Sequence, residues 1–221
     1  MIRFLSGDQL NAHPILKSSM HRDRAIQFFE RLGWDVTVDS EGEEHDEYDA
    51  LNPLYVILEN REGLHAGSLR FLPTTGQTMV NDHFLHLTDG VSIKSPHIWE
   101  CTRFCVSPTA ERRAAAKLLA AGAFLMKECS VDHFVGVFDQ RMERVYSAIG
   151  AVPNVLGRQS KASGTIGIGL WEFNEADFRQ LLSSARLTSL DLSWYFDVSE
   201  ATLLPTHHGA APISEAVLAM R

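Results

Sequence analysis

Apolar residues fall along the chain in two rhythms, short runs with strand spacing and longer segments with helical spacing. Residues 2–5 read as an opening strand. Residues 14–32 read as a helix, with Pro14 suited to its first turn and Gly33 to its stop. Leu16, Met20, Ile26, Phe29 and Leu32 give it an imperfect apolar stripe, and Arg24 and Phe28, four apart, share one face. Residues 54–58 and 66–71 read as antiparallel strands joined by the turn Asn60-Arg61-Glu62-Gly63. Then come a strand at 98–106, an Ala- and Leu-rich helix at 110–129, a buried strand at 134–138 and a short helix at 141–149 closed by Gly150. A strand at 165–173 and a helix at 174–185 follow; beyond residue 186 the pattern weakens, and the tail 186–221 has no assignment. Strands and helices around one sheet predict the α/β class: a three-layer α/β/α sandwich with a mixed, mostly antiparallel sheet, in a single domain spanning 1–221.

One stretch obeys neither rhythm. Residues 35–49 hold eight acidic side chains and no Lys or Arg. Such a segment repels itself and offers little apolar surface, so the expectation is a loop that orders on something cationic.

Composition narrows the class of function. About 45% of the 221 residues are apolar, enough for a core, and 22% are charged. The net charge of −8 argues against a nucleic-acid binder, whose footprint is a basic stripe. The longest apolar run, residues 118–126, has nine residues, against about 20 for a bilayer span. Residues 1–5 lack the apolar region of a signal peptide. Three cysteines without a close CxxC read as reduced thiols in the cytoplasm. No GxGxxG or GxxxxGK fingerprint supports a nucleotide-binding Rossmann or P-loop reading.

Four segments, taken together and in order, resemble one family. They are Arg24-Ala25-Ile26-Gln27-Phe28 with Gly33-Trp34-Asp35-Val36; Asp46-Glu47-Tyr48-Asp49-Ala50-Leu51; Leu69-Arg70-Phe71-Leu72-Pro73-Thr74-Thr75-Gly76; and Phe84 followed by His97-Ile98-Trp99-Glu100-Cys101-Thr102-Arg103-Phe104. The pattern, strongest over residues 20–150, is similar to that of the acyl-homoserine-lactone synthases, which make quorum-sensing autoinducers. The resemblance implies a fold like that of the GCN5-related N-acetyltransferases. It implies two substrates, S-adenosylmethionine and an acyl chain on acyl carrier protein, and no metal or redox cofactor. The amine of S-adenosylmethionine is acylated, and its carboxylate then displaces methylthioadenosine to close the lactone.

The resemblance also marks side chains. Glu100 is the candidate general base, through a water; the alternative is that it anchors an arginine. Six charged positions match the family pattern, Arg24, Asp46, Asp49, Arg70, Glu100 and Arg103. Asp46 and Asp49 can meet the positive groups of S-adenosylmethionine, be held by Arg24, Arg70 and Arg103, since a buried unpaired charge is costly, or do both at once. Trp34 is expected against the sulfonium or adenosine, with Phe28, Phe84, Thr102 and Arg103 completing that site. Glu100 and Arg103 lie three apart on a strand and would face opposite sides, so serving one site requires a bulge near Cys101-Thr102. Cys101 and Cys105 read as small core residues.

The acyl donor and its tunnel are less marked. Coenzyme A-dependent relatives of the implied fold carry a glycine-bearing phosphate loop before the long helix; here that place reads Glu111-Arg112-Arg113-Ala114-Ala115-Ala116-Lys117. The missing glycine favours a carrier-protein donor over acyl-CoA. Arg112, Arg113, Lys117, Arg141 and Arg144 are the candidate docking cations. Met79, Leu118, Leu119, Leu125, Phe138, Met142, Val145 and Tyr146 are candidates for the acyl pocket. Phe138 stands where members using 3-oxo chains often have Thr, so 3-oxo selectivity is not expected. Two other readings stay open: a different N-acyltransferase of the same fold, and a non-catalytic acyl or carrier-protein binding module. His207 and His208 sit in the unassigned tail and are not expected to bind metal.

Overall fold

The computed structural model describes residues 1–161 and 164–201; His207 and His208 lie outside these described residues. Seven strands form one sheet in the order β1-β4-β5-β6-β7-β9-β8. These are β1 (Ile2–Ser6), β4 (Leu54–Glu59), β5 (His65–Pro73), β6 (Ile98–Val106), β7 (His133–Asp139), β8 (Asn154–Lys161) and β9 (Gly164–Glu172). Only β6 and β7 pair in parallel; the other neighbours are antiparallel. The mixed, mostly antiparallel sheet is as expected, and β8 at its edge is an addition.

Alternation along the strands builds a core on each face of the sheet. Ile2, Phe4, Val56, Leu58, Leu69 and Phe71 point to one face and meet α4 (Ala114–Glu128), α6 (Glu175–Ala185) and α7 (Ser189–Ala201). Leu5, Tyr55 and Ile57 point to the other and meet Leu16 and Met20 of α2 (Pro14–Arg24) and Leu10 of α1 (Gly7–Leu10). Helices on both faces complete the three-layer α/β/α sandwich. Helix α7 gives structure to the start of the unassigned tail: Phe196 packs edge-on to Phe4 at 5.2 Å. Among the described residues no helix is long and apolar enough to cross a membrane.

Two departures from the expected elements shape the site. The first long helix does not run as one α-helix to Leu32; from Ala25 to Arg31 it widens into a π-helical segment, with the Leu32 amide donating to the Gln27 carbonyl. The acidic stretch is ordered rather than open. It folds as a small hairpin, β2 (Thr37–Val38) with β3 (Glu44–His45), followed by a 3₁₀ turn over Glu47–Leu51 capped by Asp46. The cations that order it are the chain's own arginines.

Candidate active site

Six charged groups close a neutral network on the α2 face of the sheet. Arg24 is fully buried; its Nε donates to Glu44 Oε2 at 2.5 Å, and its two Nη groups grip Asp49 at 3.0 and 2.9 Å. Arg70, also fully buried, donates to Thr102 Oγ1 at 3.1 Å, to Asp49 at 2.7 Å and to both oxygens of Asp46. Arg103 reaches Glu44 Oε1 at 2.8 Å and Asp46 Oδ2 at 2.7 Å. Three guanidinium groups therefore face three carboxylates. Charge-assisted, partly bidentate contacts of this kind make burial of ions tolerable.

The carboxylates behave accordingly. Burial alone would raise Asp49, but Arg24 and Arg70 outweigh it and hold the group far below the usual range. Asp46 is likewise lowered: burial opposes, and Arg70 with Arg103 wins. Tyr55 adds a hydrogen bond to Asp49 at 2.7 Å. Both aspartates are thus held by arginines. Glu44, wholly buried, is the member that sequence reading missed. Its signal was present: Glu44 and Asp46 are two apart in an extended segment and so share a face.

Arg103 joins the network because β6 is irregular. Arg70 pairs with Thr102 and Ser68 with Cys105, so Leu69 alone faces Arg103 and Phe104. This is the expected bulge, at Arg103-Phe104, directly after Cys101-Thr102. Arg103 takes the left-handed conformation at φ 51°, a place usually filled by glycine and costing another residue on the order of 1 kcal/mol or more. The bulge sets Glu100, Thr102 and Arg103 on one face, resolving the parity conflict. The Arg103 guanidinium lies 5.5 Å over the Phe28 ring. Phe28 in turn stacks on Trp34 at 5.1 Å and 4°.

Glu100 does not anchor an arginine. Its two oxygens accept the amides of Met79 at 3.1 Å and Val80 at 2.6 Å, at the start of α3 (Met79–His83). Burial pushes its carboxyl up to about 7, against the pull of those amides. Met79 touches Arg103 in turn, its sulfur 4.0 Å from Nη1.

Beside the network the sheet opens. β6 and β7 pair only through Ile98–His133, Trp99–Phe134 and Glu100–Val135, and then part. Gly136 stands at the fork: a Cβ there would lie 2.6 Å from the Cys101 carbonyl oxygen. Between the parted strands lies a cavity of about 650 Å³. On the α2 face it is lined by Gln27, Phe28, Arg31, Trp34, Met79 and Arg103; on the other by Leu119, Gly122, Met126, Phe134, Trp171 and Phe178. It therefore runs through the sheet, from a polar mouth to an apolar interior.

Six predicted pocket residues line it: Met79, Leu119, Phe138, Met142, Val145 and Tyr146. Leu118 and Leu125 do not; both are fully buried in the α4 core. Helix phase explains the difference. The cavity faces the row Ala115, Leu119, Gly122, Ala123 and Met126, while Leu118 is turned onto β5 at Gly67. Phe84 does not line the cavity either, packing instead with Val80, Leu87, Val135 and Ile168. Cys101 lines it, and Cys105 is fully buried, its thiol pushed up to about 12 by burial.

The parallel run of β6 and β7 brings residues 108–113 and 139–144 to one end of the sheet, uniting the predicted docking cations. Two are already engaged: Lys117 with Glu111 and Arg141 with Asp139. Arg112 and Arg144 are exposed and Arg113 half-buried. Two groups, His21 with His45 and Asp49, and Asp39 with Glu43 and His45, have ligand atoms within 4.8 Å of one another. Asp49 is spoken for by Arg24, and none of these residues lines the cavity.

A sheet parted at its parallel pair, with a cavity through the gap and helices on both faces, is the fold of the GCN5-related acyltransferases. The chain belongs to the autoinducer synthase family, whose model matches residues 8–181. The acyl-homoserine-lactone synthase of Rhizobium etli is 38% identical over 188 residues, covering 82% of this chain and 88% of that protein. TofI, solved in a ternary complex with an inhibitor and MTA, superposes with a TM-score of 0.70 at 25% identity, covering 86% of this chain and 98% of that one. BjaI, a CoA-dependent acyl-homoserine lactone synthase solved with SAM and isopentyl-CoA, superposes at 0.75 with 21% identity, covering 85% and 90%. The chain is accordingly an enzyme, a transferase of the acyl-homoserine-lactone synthase class.

Proposed function

We propose that the chain transfers a fatty acyl group from acyl carrier protein to the amine of S-adenosylmethionine and then lactonises the product. The products are N-acyl-L-homoserine lactone, methylthioadenosine and holo-carrier protein, and the reaction belongs in the cytoplasm. The observation that carries this reading is the cavity running through the parted strands, with Arg103, Phe28 and Trp34 at one end and an apolar interior at the other.

S-adenosylmethionine would sit at the polar end, its adenosine or sulfonium against the exposed side of the Trp34–Phe28 stack. Its carboxylate would face Arg103, the one network arginine on the cavity wall. The acyl chain would thread the apolar interior and leave its thioester carbonyl at the fork. There the main-chain groups of β6 that point toward β7 beyond Glu100 have no strand partner. The amine attacks that carbonyl, the N–C bond forms and the C–S bond breaks; the proton that the nitrogen sheds on becoming an amide goes to the departing thiolate, the ammonium having first given up another to a base. The amine's pKa of about 7.7–8.0 makes that proton easy to remove. Glu100, raised to about 7, is suited to take it, one water relaying across its burial. Ring closure follows when the carboxylate oxygen attacks the γ-carbon and the C–S bond of the sulfonium breaks. Holding the two in line is worth effective molarities on the order of 10⁵ M or more.

A carrier-protein donor is favoured by the cations at the C-terminal ends of β6 and β7 and by the missing glycine before α4. The test is to incubate the purified chain with S-adenosylmethionine and matched acyl-carrier-protein and acyl-CoA series. Free thiol, methylthioadenosine and lactone mass are followed together. Equal release of all three, faster from the carrier protein, is expected. Thiol without methylthioadenosine would overturn the lactonisation, and faster turnover of acyl-CoA would overturn the donor.

A further inference from the structure

The apolar part of the cavity contains a hydroxyl that the fold does not use. Tyr146 of α5 (Met142–Ile149) lines the cavity and is only 7% exposed, yet its hydroxyl makes no hydrogen bond to any described residue. It is not sealed in packing either. Thr78 Oγ1 is the one described side-chain polar atom both closed off and unpartnered, so the Tyr146 oxygen opens onto the cavity that its ring lines. Its neighbours hold the ring in place. Phe138 and Trp171 meet it edge-on at 5.8 and 5.3 Å, and the Trp171 indole N–H is itself committed to the Ala151 carbonyl at 2.8 Å. Buried hydroxyls are nearly always paired, and a fixed one opening into an apolar cavity is a recognition group for an oxygen on whatever fills it.

Its depth can be read from its surroundings. A Cβ on Gly136 would lie 2.6 Å from the Cys101 carbonyl oxygen and 3.6 Å from the Trp171 ring, and Tyr146 meets that ring edge-on at 5.3 Å, so one aromatic side chain separates Tyr146 from the fork. Cys101 follows the last β6 residue paired to β7 and precedes Thr102 and Arg103 at the polar mouth. An acyl chain whose thioester carbonyl is held at the fork therefore passes its first carbons, the third among them, beside Trp171 and Tyr146.

We propose that the Tyr146 hydroxyl selects acyl chains bearing an oxygen, keto or hydroxyl, on carbon 3. The inference rests on the synthase reading above. It reverses the expectation drawn from Phe138: the ring at 138 lacks a hydroxyl, but it braces one that projects from the next helix. A phenol O–H can donate to a ketone and can both donate to and accept from an alcohol, so both substituents fit the same group.

The test pairs wild type with Tyr146→Phe, which removes one unpaired oxygen and leaves the ring packing intact. Each is assayed for lactone formation with chain-length-matched saturated, 3-oxo and 3-hydroxy acyl donors, on carrier protein and on CoA. Wild type should favour one oxygenated series over the saturated one by about tenfold in kcat/KM, the worth of about one hydrogen bond. Tyr146→Phe should lose that preference, its ratio of oxygenated to saturated kcat/KM falling to about one. The favoured arm identifies the substituent. A wild-type preference for saturated chains, or a Tyr146→Phe enzyme slowed equally on all three series, would overturn the proposal while leaving the synthase reading in place. Absence of lactone from every donor with wild type would overturn both.

Discussion

Replacing Glu44 by Gln should unbalance the buried network. Glu44 is wholly buried and accepts from Arg24 at 2.5 Å and from Arg103 at 2.8 and 3.2 Å. The amide keeps the shape and removes one of three negative charges that face three arginines. Breaking a buried pair by removing one partner costs about 3–5 kcal/mol, out of a total stability on the order of 5–15 kcal/mol. The adjacent Glu43→Gln is the control. Glu43 meets Arg22 only at 3.8 Å, and that arginine is 58% exposed, a pair worth about 0–1 kcal/mol; the hydrogen bond that Glu43 accepts from Ser18 at 2.5 Å can be accepted by the amide oxygen as well. The assay is urea unfolding followed by tryptophan fluorescence. With a slope of about 2–3 kcal/mol/M, Glu44→Gln should lower the midpoint by about 1–2 M and Glu43→Gln by a few tenths. Two midpoints agreeing within about 0.3 M would refute the claim that Glu44 is a member of the network.

Three more outcomes follow from the same geometry. Gly136→Ala puts a Cβ 2.6 Å from the Cys101 carbonyl; it should lower stability by about 1–3 kcal/mol, seen in Tm, and reduce kcat/KM by forcing the fork. Glu100, raised from 4.5 to about 7, holds its proton in the folded state to higher pH than in the unfolded one. Stability should therefore fall by about 3 kcal/mol as pH rises from 4.5 to 7; Glu100→Gln should abolish that fall and the matching rise of kcat/KM near pH 7, leaving only the limb of the substrate amine near about pH 8. Reversing charge at Arg112 and Arg144 should raise KM for an acyl-carrier-protein donor by about tenfold, less so at high salt, and leave an acyl-CoA donor unchanged.

Much of this architecture was legible because it depends on local pattern. The strands at 54–58, 66–71, 98–106 and 134–138 and the helix around 114–128 announce themselves by period and by β-branched or Ala-rich content. Even the bulge was legible, since Glu100 and Arg103 could not otherwise share a face. Glu44 was not singled out, because five acidic residues within seven positions look alike until the hairpin assigns them faces: Glu44 is sealed, while Glu41 and Glu47 stay in water. Phe84, Leu118 and Leu125 were misplaced for a related reason. Apolarity says that a side chain is buried, whereas helix phase and the fork of β6 and β7 decide whether it meets the cavity or the core.

The account's central claim is that the acyl chain enters the α4–α6 layer through the gap between β6 and β7. A carrier-protein donor whose acyl chain carries a diazirine near its far end tests it directly. After photolysis in the presence of S-adenosylmethionine, labelled peptides are mapped by mass spectrometry. Labels on Leu119, Met126, Trp171 or Phe178 are predicted; labels confined to the other face, at Leu10, Met20 or Phe84, would contradict it.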